Sequence, residues 1–478
     1  MRRLTTAVGG PRRAWAVLLL ASALAISDAD LATVGAVAGE LERHLRISDV
    51  QVGVLATATA VVGAIATIPI GSLSDRVPRV PLLSVSVLLW AAAMVVSALS
   101  TSYRMLLISR MALGVVTATS GPTLASLTGD LFEPRERATV YGWIEAGEMA
   151  GAAFGLVAGG AIAGLLSWRA SFLVLAAPAV LLALGLWRKL PEPARGGADR
   201  LVAEPRAMEI SDRSDRIAEA VRRRGIRPDP DLVLEDDPAG MSLPAAVRYV
   251  LSIPTNRVLI VASALGYFFF TGVQTFAVVL VEQRFHVGQT VASGLIGLVA
   301  IGAVLGVIAG GRLADRRIAG GHLSARISVA VGCYVLAIAL LTPALLTSSL
   351  PLALPFFFLG TAAVTAANPP LDAARLDVVP DHIWGRAEGV RTFMREAATA
   401  VAPLAFGLVS DLLANHGHLG AVLSTGTGAH GDLSGAFLIM LGALLLSALI
   451  LARGRRRFVR DVATAARSQA AEGRARPG

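Results

Sequence analysis

Two stretches 240 residues apart carry one pattern: Gly71-Ser72-Leu73-Ser74-Asp75-Arg76 and Gly311-Arg312-Leu313-Ala314-Asp315-Arg316, each after a long apolar run. A glycine, three spacers and an acid–base pair is common alone. Its return at the matching place in a second half implies that one membrane unit was duplicated. Duplicated membrane halves point to transport, with a substrate site on the axis between them.

The rest of the chain fits that reading. Of 478 residues, 54% are hydrophobic and 16% are charged, against about 25% charged in soluble domains. Apolar runs long enough to cross about 30 Å of hydrocarbon fall at 14–38, 49–71, 80–100, 103–128, 138–164 and 169–188. A second set falls at 256–281, 288–311, 324–347, 351–376, 387–413 and 433–452. The expected fold is therefore an all-α membrane protein with twelve transmembrane helices in two pseudo-symmetric six-helix bundles. The expected division is 1–189, a 190–250 linker, 251–455 and a basic tail at 456–478.

Net charge is +9, yet the arginines sit at membrane edges, which argues against nucleic acid. Arg76, Arg79, Arg135, Arg137, Arg312, Arg316, Arg317 and Arg326 lie on one side, with Arg453, Arg455, Arg456, Arg457 and Arg460. The loops 347–351 and 414–432 contain no Arg or Lys. The positive-inside rule then places both termini and the linker in the cytoplasm. Arg2, Arg3, Arg12 and Arg13 agree. The apolar stretch from Ala14 outruns a signal-peptide core and is expected to stay as the first span. Cys333 reads as a packing residue. Lys189 stands alone among dozens of arginines, a bias that suggests a GC-rich bacterial genome; the expected location is the bacterial inner membrane.

The halves match further along. Pro122-Thr123-Leu124 followed by Asp130 corresponds to Pro369-Pro370-Leu371 followed by Asp377, and Arg137-Ala138 to Arg386-Ala387. Between the halves, 190–250 is rich in Pro, Arg, Asp and Glu and reads as a charged tether, with Ile210–Arg224 a short polar helix.

On these residues the chain resembles the major facilitator superfamily over nearly its whole length. Gly71-x-x-x-Asp75-Arg76-x-Pro78-Arg79 is similar to the family's signature in the loop after segment 2, with Pro78 where a second glycine is usual. Gly71 would admit a neighbouring helix closely, Asp75 would meet a helix N-terminus, and Arg79 would pair with Asp130. The resemblance implies a latch on the outward-facing state, with Asp315, Arg316 and Asp377 as counterparts. Arg110-x-x-x-Gly114 resembles a second signature, whose arginine the family associates with proton coupling. In segment 5, Gly142, Gly151, Gly155, Gly159 and Gly160 match the antiporter signature, although Leu156 replaces its proline. That signature implies substrate–proton exchange, hence export.

Asp28 and Asp30 lie about 200° apart on a helix, so they cannot face one cavity together. Asp30-Leu31-Ala32-Thr33-Val34 and Ile47-Ser48-Asp49 resemble spinster-type lipid transporters, in which an acid at the Asp30 position is tied to coupling. The acid seven residues after the segment 4 arginine is here Thr117. Glu145 and Glu148, one turn apart, are possible replacements: either they exchange contact with Arg110, or they pair with Arg137 or Arg391. Arg391 and Arg395 share a helix face and fit either an anionic head group or an ion-pair network with Glu145, Glu148 and Glu388. Gln274, polar at mid-depth in segment 7, and Asn368, beside two prolines, complete the candidate substrate contacts with Asp28 and Thr117.

No catalytic, nucleotide or metal-ligand constellation is visible, so neither an enzyme nor a cofactor is expected. The expected function is proton-driven export of an amphipathic molecule or lysolipid by a monomer in the bilayer. The alternatives are an importer of an anionic nutrient, or a non-transporting membrane sensor.

Overall fold

A computed structural model of the chain describes residues 10–47, 49–195, 225–234, 241–415 and 433–475. The expected helix at Ile210–Arg224 lies outside them. Sixteen α-helices are found among the described residues. Eleven stretches are long and apolar enough to cross a membrane. The eleventh expected span is also present, as the 32-residue helix Trp384–Asn415. Its Arg386, Glu388, Arg391, Arg395 and Glu396 make it the most polar of the set.

The chain divides into two compact units. The first comprises Met1–Ile253, Leu376–Phe393 and Val462–Gly478; the second comprises Pro254–Arg375 and Met394–Asp461. The first unit holds α1 (Pro11–Ala36), α2 (Ala38–Leu45), α3 (Asp49–Ser74), α4 (Arg79–Ala98), α5 (Tyr103–Thr117), α6 (Ser120–Leu131), α7 (Arg137–Leu165), α8 (Trp168–Lys189) and α9 (Leu243–Ser252). Side chains set several of these boundaries. Ser102 and Ser167 accept from Met105 N and Ala170 N, capping α5 and α8. Glu133 and Glu136 form a capping box before α7, which satisfies amides that a helix start leaves without partners.

Glycine decides how this unit packs. α7 lies against α1, and β-carbons at Gly151 and Gly155 would run into the backbones of Ala25 and Ala29. Thr33 uses the resulting closeness: its hydroxyl donates to Ala29 O at 2.7 Å and across to Gly155 O at 3.0 Å. Gly159 faces the Thr33 side chain and Gly160 the Ala36 methyl. Gly142 is buried on the same helix. Where apolar side chains gain nothing by leaving lipid, such bare surfaces provide the packing.

The second unit holds α10 (Pro254–Phe285), α11 (Gln289–Ala319), α12 (Ala325–Leu346), α13 (Leu350–Ala366), α14 (Asn368–Val378), and most of α15 (Trp384–Asn415) and α16 (Leu433–Ala475). The same device returns: Gly302, Gly306 and Gly310 of α11 meet Phe358 O, Ala362 O and the Ala366 backbone of α13. Thr365 donates across this contact to Ala303 O at 2.9 Å. α15 differs by placing Phe406 against Gly272, within a ring cluster of Phe268, Phe269, Phe276 and Phe437.

Three expectations change. Segment 4 is kinked at Ala118–Thr119, and segment 10 at Ala367 ahead of Pro369 and Pro370, so each forms two helices. The tail from 456 is no separate element, because α16 runs unbroken for 43 residues to Ala475. The 190–250 segment is more than a tether: Asp229 N and Leu234 N donate to Thr464 Oγ1 (2.8 Å) and Ser468 Oγ (3.0 Å) of α16.

Gly155→Val is expected to lower the melting temperature sharply, since overpacking costs about 1–3 kcal/mol or more. Gly164→Ala, with nothing within 4 Å of the new carbon, should leave it unchanged or slightly raised. Equal melting curves for the two variants in detergent would refute the packing account.

Candidate functional site

Arg110 of α5 and Asp30 of α1 form a buried ion pair. One guanidinium nitrogen donates to both carboxylate oxygens, at 2.7 and 2.9 Å. The residues are 2% and 4% exposed. The Phe172 ring lies 4.5 Å from the guanidinium carbon, and Met94 Sδ lies 3.9 Å from Nη2. The pair is therefore sealed inside the first unit by α4 and α8. A charge there persists only when paired, and removing one partner strands the other. Arg110 contacts Asp30, not Glu145. Glu145 is buried and Glu148 is half-buried on α7. An alternating contact of Glu145 with Arg110 is thus not the arrangement seen.

A second cluster surrounds Asp75, just past the end of α3. Its two oxygens accept from Gly385 N at 2.8 Å and Arg386 N at 3.0 Å, at the start of α15. The Arg386 guanidinium stands 3.4 Å away, and both side chains are fully buried. A β-carbon at Gly71 would strike Gly385 O, and one at Gly385 would strike Asp75 and Gly71 O. The two glycines thus let backbone meet backbone. Burial pushes the Asp75 carboxyl up to about 7, with Arg386 and the two amides pulling the other way.

Arg79 anchors the other side of the loop. It donates to Asp130, to Ser126 Oγ at 3.1 Å, to Glu192 Oε1 at 3.0 Å and to the Pro193 carbonyl. Glu192 also accepts from Arg79 N (3.0 Å) and Val80 N (2.6 Å), satisfying the first amides of α4. Arg195 reaches Ser74 O and Val77 O, both at 3.0 Å. Arg76 donates to Met241 O at 3.4 Å. Segments just after α8 and just before α9 therefore grip one short loop. Sequence reading missed Glu192 and Arg195. The signal was there in Pro191-Glu192-Pro193-Ala194-Arg195, charges set in a rigid proline frame directly after a span.

Around the second copy of the motif the described contacts are these. Arg326, which begins α12 as Arg79 begins α4, donates to Ala373 O at 2.6 Å and lies 4.0 Å from Asp315. Asp377 sits 3.6 Å from Arg137 instead. Arg137 also donates to Gly129 O at 2.7 Å and lies over the Trp384 ring, which occupies the space a side chain at Gly129 would need. Gly311 is buried and Arg316 is exposed.

The candidate substrate residues belong to both units. Arg391 is buried 3.4 Å from Glu388, which also accepts from Thr392 at 3.1 Å, so the ion-pair alternative describes Arg391. Arg395 pairs with Glu396 at 3.0 Å and lies over the Tyr267 ring at 4.9 Å, with its side chain 23% exposed. Gln274 is exposed, and Asp28 and Asn368 are half-buried. The Thr117 hydroxyl turns back to Gly114 O of its own helix. Among the described residues, no group of three His, Cys, Asp or Glu is placed to hold a metal.

A family model for the major facilitator superfamily matches residues 18–403. The chain belongs to this family. Helicobacter pylori (strain G27) has a "Probable sugar efflux transporter" 28% identical over 170 residues, covering 36% of this chain and 44% of that protein. The "Puromycin resistance protein pur8" of Streptomyces alboniger is 31% identical over 189 residues, covering 39% and 37%. The match thus spans less than half the length of these curated relatives. The fold is similar to a bacterial homologue of the human lysosomal transporter Spinster, inward-facing and occupied. That comparison has a TM-score of 0.54 and 20% identity, and covers 94% of this chain and 98% of that one.

The Asp75 contact should respond to pH. Free aspartate titrates near ~3.9, and docked Asp75 near 7, so docking binds protons between those values and weakens as pH rises through them. Hydrogen exchange at the Gly385 and Arg386 amides, corrected for intrinsic rates, is expected to be slower at pH 5 than at pH 8. Asp75→Asn, neutral like the protonated acid, should flatten this dependence and keep exchange near its low-pH level at both values. A flat profile in the unmodified protein would refute the assignment.

Proposed function

We propose that the chain is a proton-coupled exporter of amphipathic organic molecules by alternating access. The observation that supports this most is the sealed Asp30–Arg110 pair. Its carboxylate sits on the helix that packs against the glycine-stripped face of α7. A proton arriving at Asp30 neutralises the carboxylate, ends its attraction to Arg110 and leaves a buried cation that must find water or another acid. The same step therefore favours a rearrangement of α1 against α5. Burial gives each protonation state its own preferred structure, which coupling requires. Glu145 and Glu148 are the further coupling acids in this reading, while Gln274, Arg395, Asp28, Thr117 and Asn368 contact cargo.

Export is supported by the glycine spacing of α7 and by the names of relatives in sugar efflux and puromycin resistance. Cargo of lysolipid type rests on the spinster-like start of the chain. Import of an anionic nutrient is less favoured, since Arg391 is occupied by Glu388. Asp75, Arg79 and Asp130, with Glu192, act as the latch that holds one state. The protein works as a monomer in the bacterial inner membrane with both termini cytoplasmic.

In proteoliposomes, an imposed proton gradient is expected to drive efflux of puromycin or lysophosphatidylcholine. Asp30→Asn should cut that flux at least tenfold (about 1.4 kcal/mol or more in rate terms) while sparing exchange between equal substrate pools. Gradient-driven flux of normal size and pH dependence in the variant would remove Asp30 from coupling. Absence of flux for every amphiphile tried in the unmodified protein would remove the export reading.

A further inference from the structure

The arginines at the end of the last span do more than orient the chain. α16 continues without a break past Ala452, the last residue of its apolar run. Arg453, Arg456, Arg457 and Arg460 recur at i, i+3, i+4 and i+7, a spacing that aligns side chains on one helix face. All four are exposed. The opposite side of the turn is committed inward. A side chain at Gly454 would press into Val258, Phe458 is buried, and Asp461 accepts from Thr255 N at 2.9 Å. Arg455, on another face, donates to Ser324 Oγ at 3.2 Å. Asp461, the acid nearest this stripe in the sequence, is thus used elsewhere. Arg453, Arg456 and Arg457 form no ion pair with any described residue.

Orientation in a membrane needs only an excess of Lys and Arg on one side. It does not need four like charges one turn apart, each pair of which weakens the helix. An anionic partner lying along the stripe reverses that repulsion. The stripe starts where the apolar run ends and rises about 1.5 Å per residue, so Arg453, Arg456 and Arg457 fall within the ~5–7 Å headgroup layer beside the hydrocarbon. We propose that this face of α16 is a binding site for the phosphate headgroups of anionic phospholipids in the adjacent leaflet. The guanidinium planes hold phosphate oxygens in forked hydrogen bonds, and the acyl chains lie along the lower, apolar part of the same helix.

The test is native mass spectrometry of the full-length protein in detergent, titrated with phosphatidylglycerol or phosphatidylcholine. The unmodified protein should take up phosphatidylglycerol in preference. R453Q/R456Q/R457Q should lose roughly tenfold to a hundredfold in apparent affinity, at about 1 kcal/mol per arginine. R453K/R456K/R457K, which keeps the charge, should retain most of the preference, and raised salt should abolish it. Inorganic phosphate at the same concentration should fail to displace the lipid. Equal uptake of both lipids, undiminished phosphatidylglycerol binding by the glutamine variant, or full displacement by free phosphate would each overturn the proposal. If the glutamine variant proves too unstable to purify, salt-independent binding by the unmodified protein would overturn it equally.

Discussion

One carboxylate bound by two backbone amides organises a large part of this molecule. For Asp75 to reach Gly385 N and Arg386 N, two chains must approach at backbone distance, and only glycines at 71 and 385 permit it. The approach buries Asp75, and burial in turn demands a counter-charge, which Arg386 supplies. The loop must then keep its shape, so Arg79, Glu192 and Arg195 saturate its carbonyls, amides and charges. Each requirement follows from the one before it. Removing any member leaves a polar group desolvated without a partner, which is the costly outcome in a low dielectric.

The Asp30–Arg110 pair obeys the same electrostatics with a different result. Buried ion pairs contribute little to stability compared with apolar residues of similar volume. Their value lies in being all-or-none: paired and quiet, or broken and expensive. Enclosing Arg110 with Phe172 and Met94 keeps water from softening that difference. Close packing of α1 on α7 through Gly151 and Gly155 fixes the helix that carries Asp30 at backbone distance from its neighbour.

Much of the architecture was legible in the sequence, because lipid imposes a simple rule on length and hydropathy. Each expected span overlaps a described helix, Trp384–Asn415 among them despite its charges. Pairings anticipated by motif, Arg79 with Asp130 and Asp75 with a helix start, were also readable. The approach of Arg137 to Asp377 was not, because it follows from the packing of Trp384 over Gly129. Glu192 and Arg195 were missed for a similar reason: nothing in a short charged segment announces which loop it will fold back on. Arg391 could be read two ways until Glu388 was seen beside it.

The unbroken α16 has a mechanical consequence. From Arg453 to Ala475 it extends about 33 Å at ~1.5 Å per residue, with Thr464 and Ser468 holding the backbone of Asp229 and Leu234. A rod of that length is a lever. Tilting its embedded portion by about 10° would swing the far end by about 6 Å, roughly the ~5.4 Å pitch of one helical turn. The Asp229 and Leu234 amides are held by hydroxyls of that far portion and would be carried with it.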